Sequence, residues 1–180
     1  MEMIMYLVKE DSFVVWTTAI SHLAIWKNLL QETPARELMN EFILSLLDPL
    51  YRKLKWEDKG DHIERWQIHI HKLWMIWFFF RLLRQKILRA AIDYGHKDVT
   101  YLAKEEFRTH LVNKTHISPN LQELVYSVGI RTGSKEEWIW CYETYKNSNI
   151  PSERSQLLIS LGDSQDVYVI QGYLLLWIFL

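Results

Sequence analysis

Residues 13–30 read Phe-Val-Val-Trp-Thr-Thr-Ala-Ile-Ser-His-Leu-Ala-Ile-Trp-Lys-Asn-Leu-Leu, and large apolar side chains recur in them at steps of three and four. This spacing places the apolar residues along one helix, whereas a half-buried strand would alternate apolar and polar residues. Asp11 or Ser12 precedes the run and suits an N-cap, because a short side-chain oxygen can accept hydrogen bonds from first-turn amides. The stretch therefore predicts a helix beginning near residue 13.

Similar spacing continues along the chain, between residues that start or stop helices. Thr33-Pro34 predicts the cap and first residue of a second helix, and Asp48-Pro49 predicts a break or kink in it. A third helix is predicted over residues 82–94 and is closed by Gly95 in a left-handed conformation. The later helix starts are predicted at Ser118-Pro119, at the capping box Ser134–Glu137, at Pro151-Ser152 and after Ser164.

The spacing of the later starts predicts the architecture. Starts near residues 118, 134, 152 and 164 lie one short helix and one turn apart. Only 6 Gly and 4 Pro occur in 180 residues, which favours helices over a sheet protein with many turns. We predict an all-α fold in which antiparallel helix pairs stack as an α-solenoid of the HEAT or armadillo kind.

Composition excludes several classes of function. A formal charge of -1 gives no electrostatic support for binding nucleic acid. The single cysteine, Cys141, excludes an internal disulfide framework, and its place on an apolar helix stripe predicts a buried structural thiol. The first residues lack the basic leader of a signal peptide, and residues 73–80 and 167–180 are shorter than the roughly 20 residues of a membrane span.

No residue pattern predicts catalysis or metal binding. No two histidines stand four residues apart with glutamate after the first, so the His-Glu-x-x-His zinc motif is absent from the sequence. His62-Ile-Glu64 lacks the paired cysteines of a zinc deaminase. His69-Ile-His71 would place both rings on one side of a strand, but we interpret these histidines as solvated or capping residues.

Several stretches, in this order, resemble the C-terminal helical domain of the gluzincin aminopeptidases, the aminopeptidase N and endoplasmic-reticulum aminopeptidase family. The stretches that carry the resemblance are residues 6–30, 50–62, 82–95, 117–138 and 152–162. The resemblance implies a non-catalytic domain that caps the catalytic domain of a zinc aminopeptidase and encloses the peptide chamber. Zinc would belong to the parent enzyme, and this chain would hold no cofactor.

The resemblance also implies partners and a location. The partners would be the parent's catalytic domain and its peptide substrate, with a homodimer through this domain as a further option. The parent would be membrane-anchored with this domain on the extracellular or lumenal side, and a cytoplasmic location stays open. Two other functions also stay open: a free-standing α-solenoid scaffold that binds a protein, and a membrane-associated protein.

One segment departs from the family pattern. Residues 66–81 separate two stretches that are contiguous in relatives, and they hold six aromatic and no acidic residues. We interpret them as retained intron or faulty gene-model sequence, with a partner-binding insert or a membrane-touching patch as alternatives. The apolar ending, residues 174–180, suggests premature termination, so we expect about the first half of the family domain.

Two kinds of candidate site residue remain. Asn113-Lys114-Thr115 is a glycosylation sequon, expected in an exposed loop. Arg84 and Arg89, together with Arg81 and Lys86, are candidates for lining a polar cavity, since the family's helical domain closes a chamber. A plain solvent-facing helix side is the alternative.

Overall fold

The computed structural model describes residues 2–56, 71–167 and 169–171, with backbone only at residues 2–3 and 71–77. Every regular element in these ranges is helical, which confirms the all-α prediction. A 3₁₀ helix, Glu2–Lys9, comes first. The α-helices are α1 Phe13–Leu29, α2 Ala35–Leu54, α3 His71–Asp93, α4 Lys97–Asn113, α5 Gln122–Thr132, α6 Lys135–Asn147 and α7 Pro151–Leu161.

The chain divides into two compact units, residues 1–99 and residues 100–180. In the first unit, α1 and α2 both pack against α3, and the 3₁₀ helix packs against α2. Trp16 of α1 is completely buried, and its indole N–H donates to the Glu10 carbonyl at 2.9 Å. The other core side chains of this unit include Leu7, Leu23, Ile43, Leu46, Leu47, Leu50, Leu83 and Ile87.

The second unit is built around α5, whose residues from Leu124 to Ile130 are all buried. Helix α7 packs against both α5 and α6. Gly129 lets α5 approach the Phe107 ring of α4, because a Cβ atom there would overlap Cγ and Cδ1 of that ring. The Phe107 ring also meets Tyr126 and Trp140 edge-on, with centroids 6.4 and 5.9 Å away.

Two predicted helix ends are confirmed in detail. After α3, Gly95 has φ +87°, its amide donates to the Ile92 carbonyl, and the His96 amide donates to the Ala91 carbonyl. This pair of bonds is the Schellman motif, which satisfies two free carbonyls at a helix end. Before α6, the Glu137 carboxylate accepts from the Ser134 amide at 2.6 Å, and Ser134 is the N-cap of a complete capping box.

Other predicted boundaries were wrong. Helix α2 continues through Pro49 rather than breaking there, since buried leucines on both sides of the proline, Leu47 and Leu50, keep the helix packed. The alternative, a kink at Pro49, stays a prediction. Helix α3 begins at His71 rather than at residue 82, so residues 71–81 of the segment assigned as an insert are helical. Helix α5 begins at Gln122, after a turn from the predicted Ser118 start.

Two predicted caps act differently from expectation. Pro34 occupies the N-cap position of α2, and the Thr33 hydroxyl instead donates to the Leu30 carbonyl in the preceding turn. In the last described segment, Ser164 accepts from the Asp166 amide, and the Asp166 carboxylate accepts from the Val169 amide. Asp166 therefore caps the helical residues at 167 and 169–171, while the predicted continuation to Leu174 lies outside the described residues.

Candidate functional site

Helix α1 exposes large apolar side chains on the side away from its core. Trp16 and Leu23 are buried, while Val14, Ile25, Trp26 and Leu29 are 55–70% exposed. We call these four residues, with Thr18 and Ser21, the outer face of α1. Five of these six residues follow steps of three and four and form one stripe along the helix, and Trp26 borders that stripe, three positions before Leu29.

The two hydroxyls in the outer face add little polarity to it. Thr18 Oγ1 donates to the Val14 carbonyl at 3.0 Å, and Ser21 Oγ donates to the Thr17 carbonyl at 2.9 Å. A hydroxyl bound in this way to the helix's own backbone has no donor left for a partner. The large exposed side chains of the outer face are therefore apolar, and the exposed polar residues His22 and Asn28 lie beside them on the helix.

The C-terminal part of α1 is fixed in orientation by Lys27. Its ammonium donates to the Asp93 carbonyl at 2.6 Å and lies 5.0 Å from the centroid of the Tyr94 ring. Burial, followed by the nearby Asp93 carboxylate, raises the pKa of the Tyr94 phenol, so that ring stays neutral beside the lysine. These contacts turn Ile25, Trp26 and Leu29 outward.

The predicted arginines take part in helix contacts. Arg84 Nε donates to the Leu54 carbonyl at 3.1 Å, which satisfies a free carbonyl at the end of α2. Arg89 forms an ion pair at 3.6 Å with Asp93, one turn later on α3. Arg81 is half-buried and Lys86 is exposed on the same helix. Their assignment to a polar cavity stays a prediction.

Asn113 is the last residue of α4 and is exposed. Lys114 follows with φ +52°, and residues 114–117 have no regular secondary structure. Nδ1 of His110 lies 2.6 Å from the Thr115 carbonyl oxygen, which fixes the sequon backbone against the last turn of α4.

Cys141 is a buried structural thiol, as predicted. It is completely buried on α6, and burial, followed by the Glu137 carboxylate, raises its pKa. A thiol whose pKa is raised carries little of the thiolate form that nucleophilic chemistry needs. On the same helix the Trp138 and Tyr142 rings stack with centroids 5.4 Å apart, and the Tyr142 and Tyr145 rings stack with centroids 6.5 Å apart.

A cavity of about 410 Å³ lies in the second unit, between the start of α6 and the segment after α7. Sequence reasoning missed this cavity, because the residues that line it lie about 30 positions apart. Arg131 and Lys135 contribute positive charge, and Asp163 lies 3.6 Å from the Arg131 guanidinium. Asp163 also accepts a short hydrogen bond from the buried Ser127 hydroxyl, so this carboxylate joins α5 to the loop after α7.

The described ranges offer neither a metal site nor a membrane-spanning helix. No group of three or more His, Cys, Asp or Glu residues there could hold a metal ion. His62 and His69 lie outside these ranges, and the backbone at His71 is helical rather than the strand considered from the sequence. In the described part of the chain, no helix combines the length and hydropathy needed to cross a bilayer.

Comparison with known proteins identifies the family. The family model of the ERAP1-like C-terminal domain matches residues 1–178. The chain belongs to this family. The resemblance to the aminopeptidase C-terminal domain is therefore confirmed, and the outer face of α1 can be considered as a surface of such a domain.

Individual relatives agree with this assignment. The chain is 27% identical over 174 residues to glutamyl aminopeptidase of Mus musculus, covering 94% of the chain and 16% of that protein. Human glutamyl aminopeptidase is 24% identical over 171 residues, with the same coverage of 94% and 16%. Aminopeptidase N of Mus musculus is 23% identical over 177 residues, covering 94% and 17%. The chain thus spans about one sixth of the length of these relatives.

Proposed function

We propose that this chain is a non-catalytic cap of a zinc aminopeptidase, docked on the rest of the enzyme through the outer face of α1. The observation that carries the proposal is the group of three neighbouring side chains Ile25, Trp26 and Leu29, each more than half exposed at the end of α1. Exposed apolar patches of this kind mark interaction surfaces. The relatives are named as aminopeptidases and are about six times longer than this chain, so the rest of such an enzyme is large enough to cover the outer face.

The parent activity would be removal of N-terminal residues from peptides, with this domain enclosing the peptide. Zinc would be held outside this chain, whose sequence lacks the His-Glu-x-x-His motif. We further propose that the helices stack as an α-solenoid and that residues 66–81 are foreign to the family domain. Arg84 and Arg89 remain candidates for the chamber wall, and the domain would face the lumen or the cell exterior.

The test compares two matched lysine substitutions, Leu29→Lys and Val112→Lys. Leu29 is 70% exposed and Val112 is 74% exposed, and both lie in the last turn of a helix. A lysine therefore has the same favourable interaction with the helix dipole at both positions. In the 180-residue chain alone, each change should shift the free energy of unfolding by less than about 0.5 kcal/mol.

In the full-length aminopeptidase that contains this domain, the two variants should differ. Leu29→Lys places a charge where an apolar contact is proposed, so it should lose roughly 1.5–3 kcal/mol of burial energy together with the cost of desolvating the ammonium group. The measurements are the melting temperature and the rate of cleavage of an N-terminal amino-acid amide. If Leu29→Lys matched the wild-type enzyme in both measurements, the outer face would be open to water in the enzyme, and the docking proposal would be wrong.

A further inference from the structure

The chain contains one Asn-x-Ser/Thr triplet, Asn113-Lys114-Thr115, in all of its 180 residues. In this triplet the asparagine amide is the acceptor for an N-linked glycan, provided that the middle residue is not proline. So short a triplet can arise by chance. Whether a glycan is compatible with the folded chain depends on where the triplet lies in the structure.

The fold places the triplet at an exposed corner. Asn113, Lys114, Thr115 and His116 are four consecutive exposed residues, and the buried chain resumes only at Ile117. The left-handed φ of +52° at Lys114 turns the backbone out of α4 immediately after the acceptor residue. An attached sugar would therefore extend from the end of a helix into solvent.

The contacts that hold this corner use none of the groups that glycan transfer needs. The Lys114 amide donates to the His110 carbonyl at 3.0 Å, and the His110 ring contacts the Thr115 carbonyl at 2.6 Å. Both contacts involve the backbone of the triplet, and the Lys114 ammonium also lies 5.6 Å from the centroid of the Trp140 ring. These three contacts use neither the Asn113 side-chain amide nor the Thr115 hydroxyl. A glycan on the Asn113 amide would thus leave the end of α4 intact, and it would partly cover the neighbouring Val112, which is 74% exposed.

We propose that Asn113 carries an N-linked glycan. In the transfer, Asn113 Nδ2 forms a bond to the anomeric carbon of an oligosaccharide whose bond to a polyprenyl diphosphate breaks. Nδ2 releases one proton, and the diphosphate leaves with the electron pair of the broken bond. The proposal rests on the proposed function in one respect, which is that the chain enters the secretory lumen. The oligosaccharide donor and its transferase are found there.

The experiment directs the complete 180-residue chain into the secretory pathway of animal cells with an added signal peptide. Electrophoretic mobility of the chain in the cell lysate is compared before and after treatment with peptide N-glycosidase, which converts a glycosylated asparagine to aspartate. Chains retained in the cell are included, so a variant that folds poorly is still measured. Peptide mass spectrometry then locates the converted residue.

Three variants distinguish the effect of losing the sequon from the effect of changing a side chain at the same place. Asn113→Gln removes the acceptor, and Thr115→Val removes the hydroxyl while keeping a β-branched side chain of similar size. Thr115→Ser keeps the sequon and serves as the matched control. Because the His110 contact is to the Thr115 carbonyl, both changes at residue 115 leave that contact in place.

We expect one glycosidase-sensitive species from the wild-type chain and from Thr115→Ser, and none from Asn113→Gln or Thr115→Val. An unmodified wild-type chain, or a shift that persists in Asn113→Gln, would overturn the proposal. Since the signal peptide supplies the location, neither result bears on docking of α1. Failure of the Leu29→Lys comparison would likewise leave the glycan proposal standing.

Discussion

Substitution of Gly129 by alanine should destabilise the second unit, although alanine is the better helix former. A methyl group at this position would overlap Cγ and Cδ1 of Phe107 and lie 2.6 Å from Cε1. Phe107 is only 3% exposed, and the rings of Tyr126 and Trp140 limit its movement. The contact therefore cannot be relieved by moving the end of a flexible side chain.

The change in the free energy of unfolding caused by Gly129→Ala is the difference between two opposing effects. Forcing an extra methyl into a packed core costs about 1–3 kcal/mol. Replacing glycine by alanine inside a helix contributes about 0.8–1.0 kcal/mol of stability. Because the overlap involves ring atoms close to the backbone, we expect a cost near the upper end of this range. The net loss in the free energy of unfolding should be about 1–2 kcal/mol.

The effect of Gly129→Ala on the free energy of unfolding should change sign when Phe107 is also replaced by alanine. Phe107→Ala alone should cost about 3–5 kcal/mol, since it leaves a cavity between α4 and α5. In that background the three ring atoms nearest to the methyl of Gly129→Ala are removed, so the substitution should stabilise the chain by up to about 1 kcal/mol.

The assay is urea denaturation followed by both circular dichroism and tryptophan fluorescence, because two units need not unfold in one transition. Gly95→Ala is the control: nothing lies within 4 Å of a Cβ there, and φ is +87°. Its cost, about 1–2 kcal/mol for a left-handed conformation, should be the same with or without Phe107. A neutral or stabilising Gly129→Ala in the wild-type background would refute the packing argument.

Three further predictions concern single contacts. Hydrogen bonds from the Ser134 side chain and backbone lower the pKa of Glu137 below its ordinary value of 4.5. The contribution of Glu137 to stability is therefore present above pH 4.5 and is lost as the pH falls through the lower pKa of the folded state. Glu137→Gln should be less stable than wild type in urea titrations at neutral pH, and the difference should shrink in acid. Cys141 should resist thiol reagents until the chain unfolds, because it is buried with a raised pKa, and rapid labelling of the native chain would contradict this. Lys27→Met should lower stability by about 1–2 kcal/mol through loss of the 2.6 Å bond to the Asp93 carbonyl, and an unchanged thermal midpoint would show that water replaces the ammonium group.

The helical class and several helix ends could be predicted because their causes are local. A capping box needs only Ser134 and Glu137 three positions apart, and a left-handed helix end needs only a glycine such as Gly95. The family could also be predicted, since the order of the matching stretches is a property of the sequence. Local rules failed at Pro49, where buried leucines before and after the proline hold α2 together.

The sequence by itself thus determined that the chain is helical, where its clearest caps lie, and that it resembles an aminopeptidase domain. Tertiary structure decided which apolar residues became core and which became surface, because α1 is apolar on several sides and its packing against α2 and α3 selects Trp16 and Leu23 for burial. It also decided that Gly129 faces Phe107, a contact between residues 22 positions apart in the sequence. Such contacts depend on how helices meet, and spacing within one helix carries no information about the neighbouring helix.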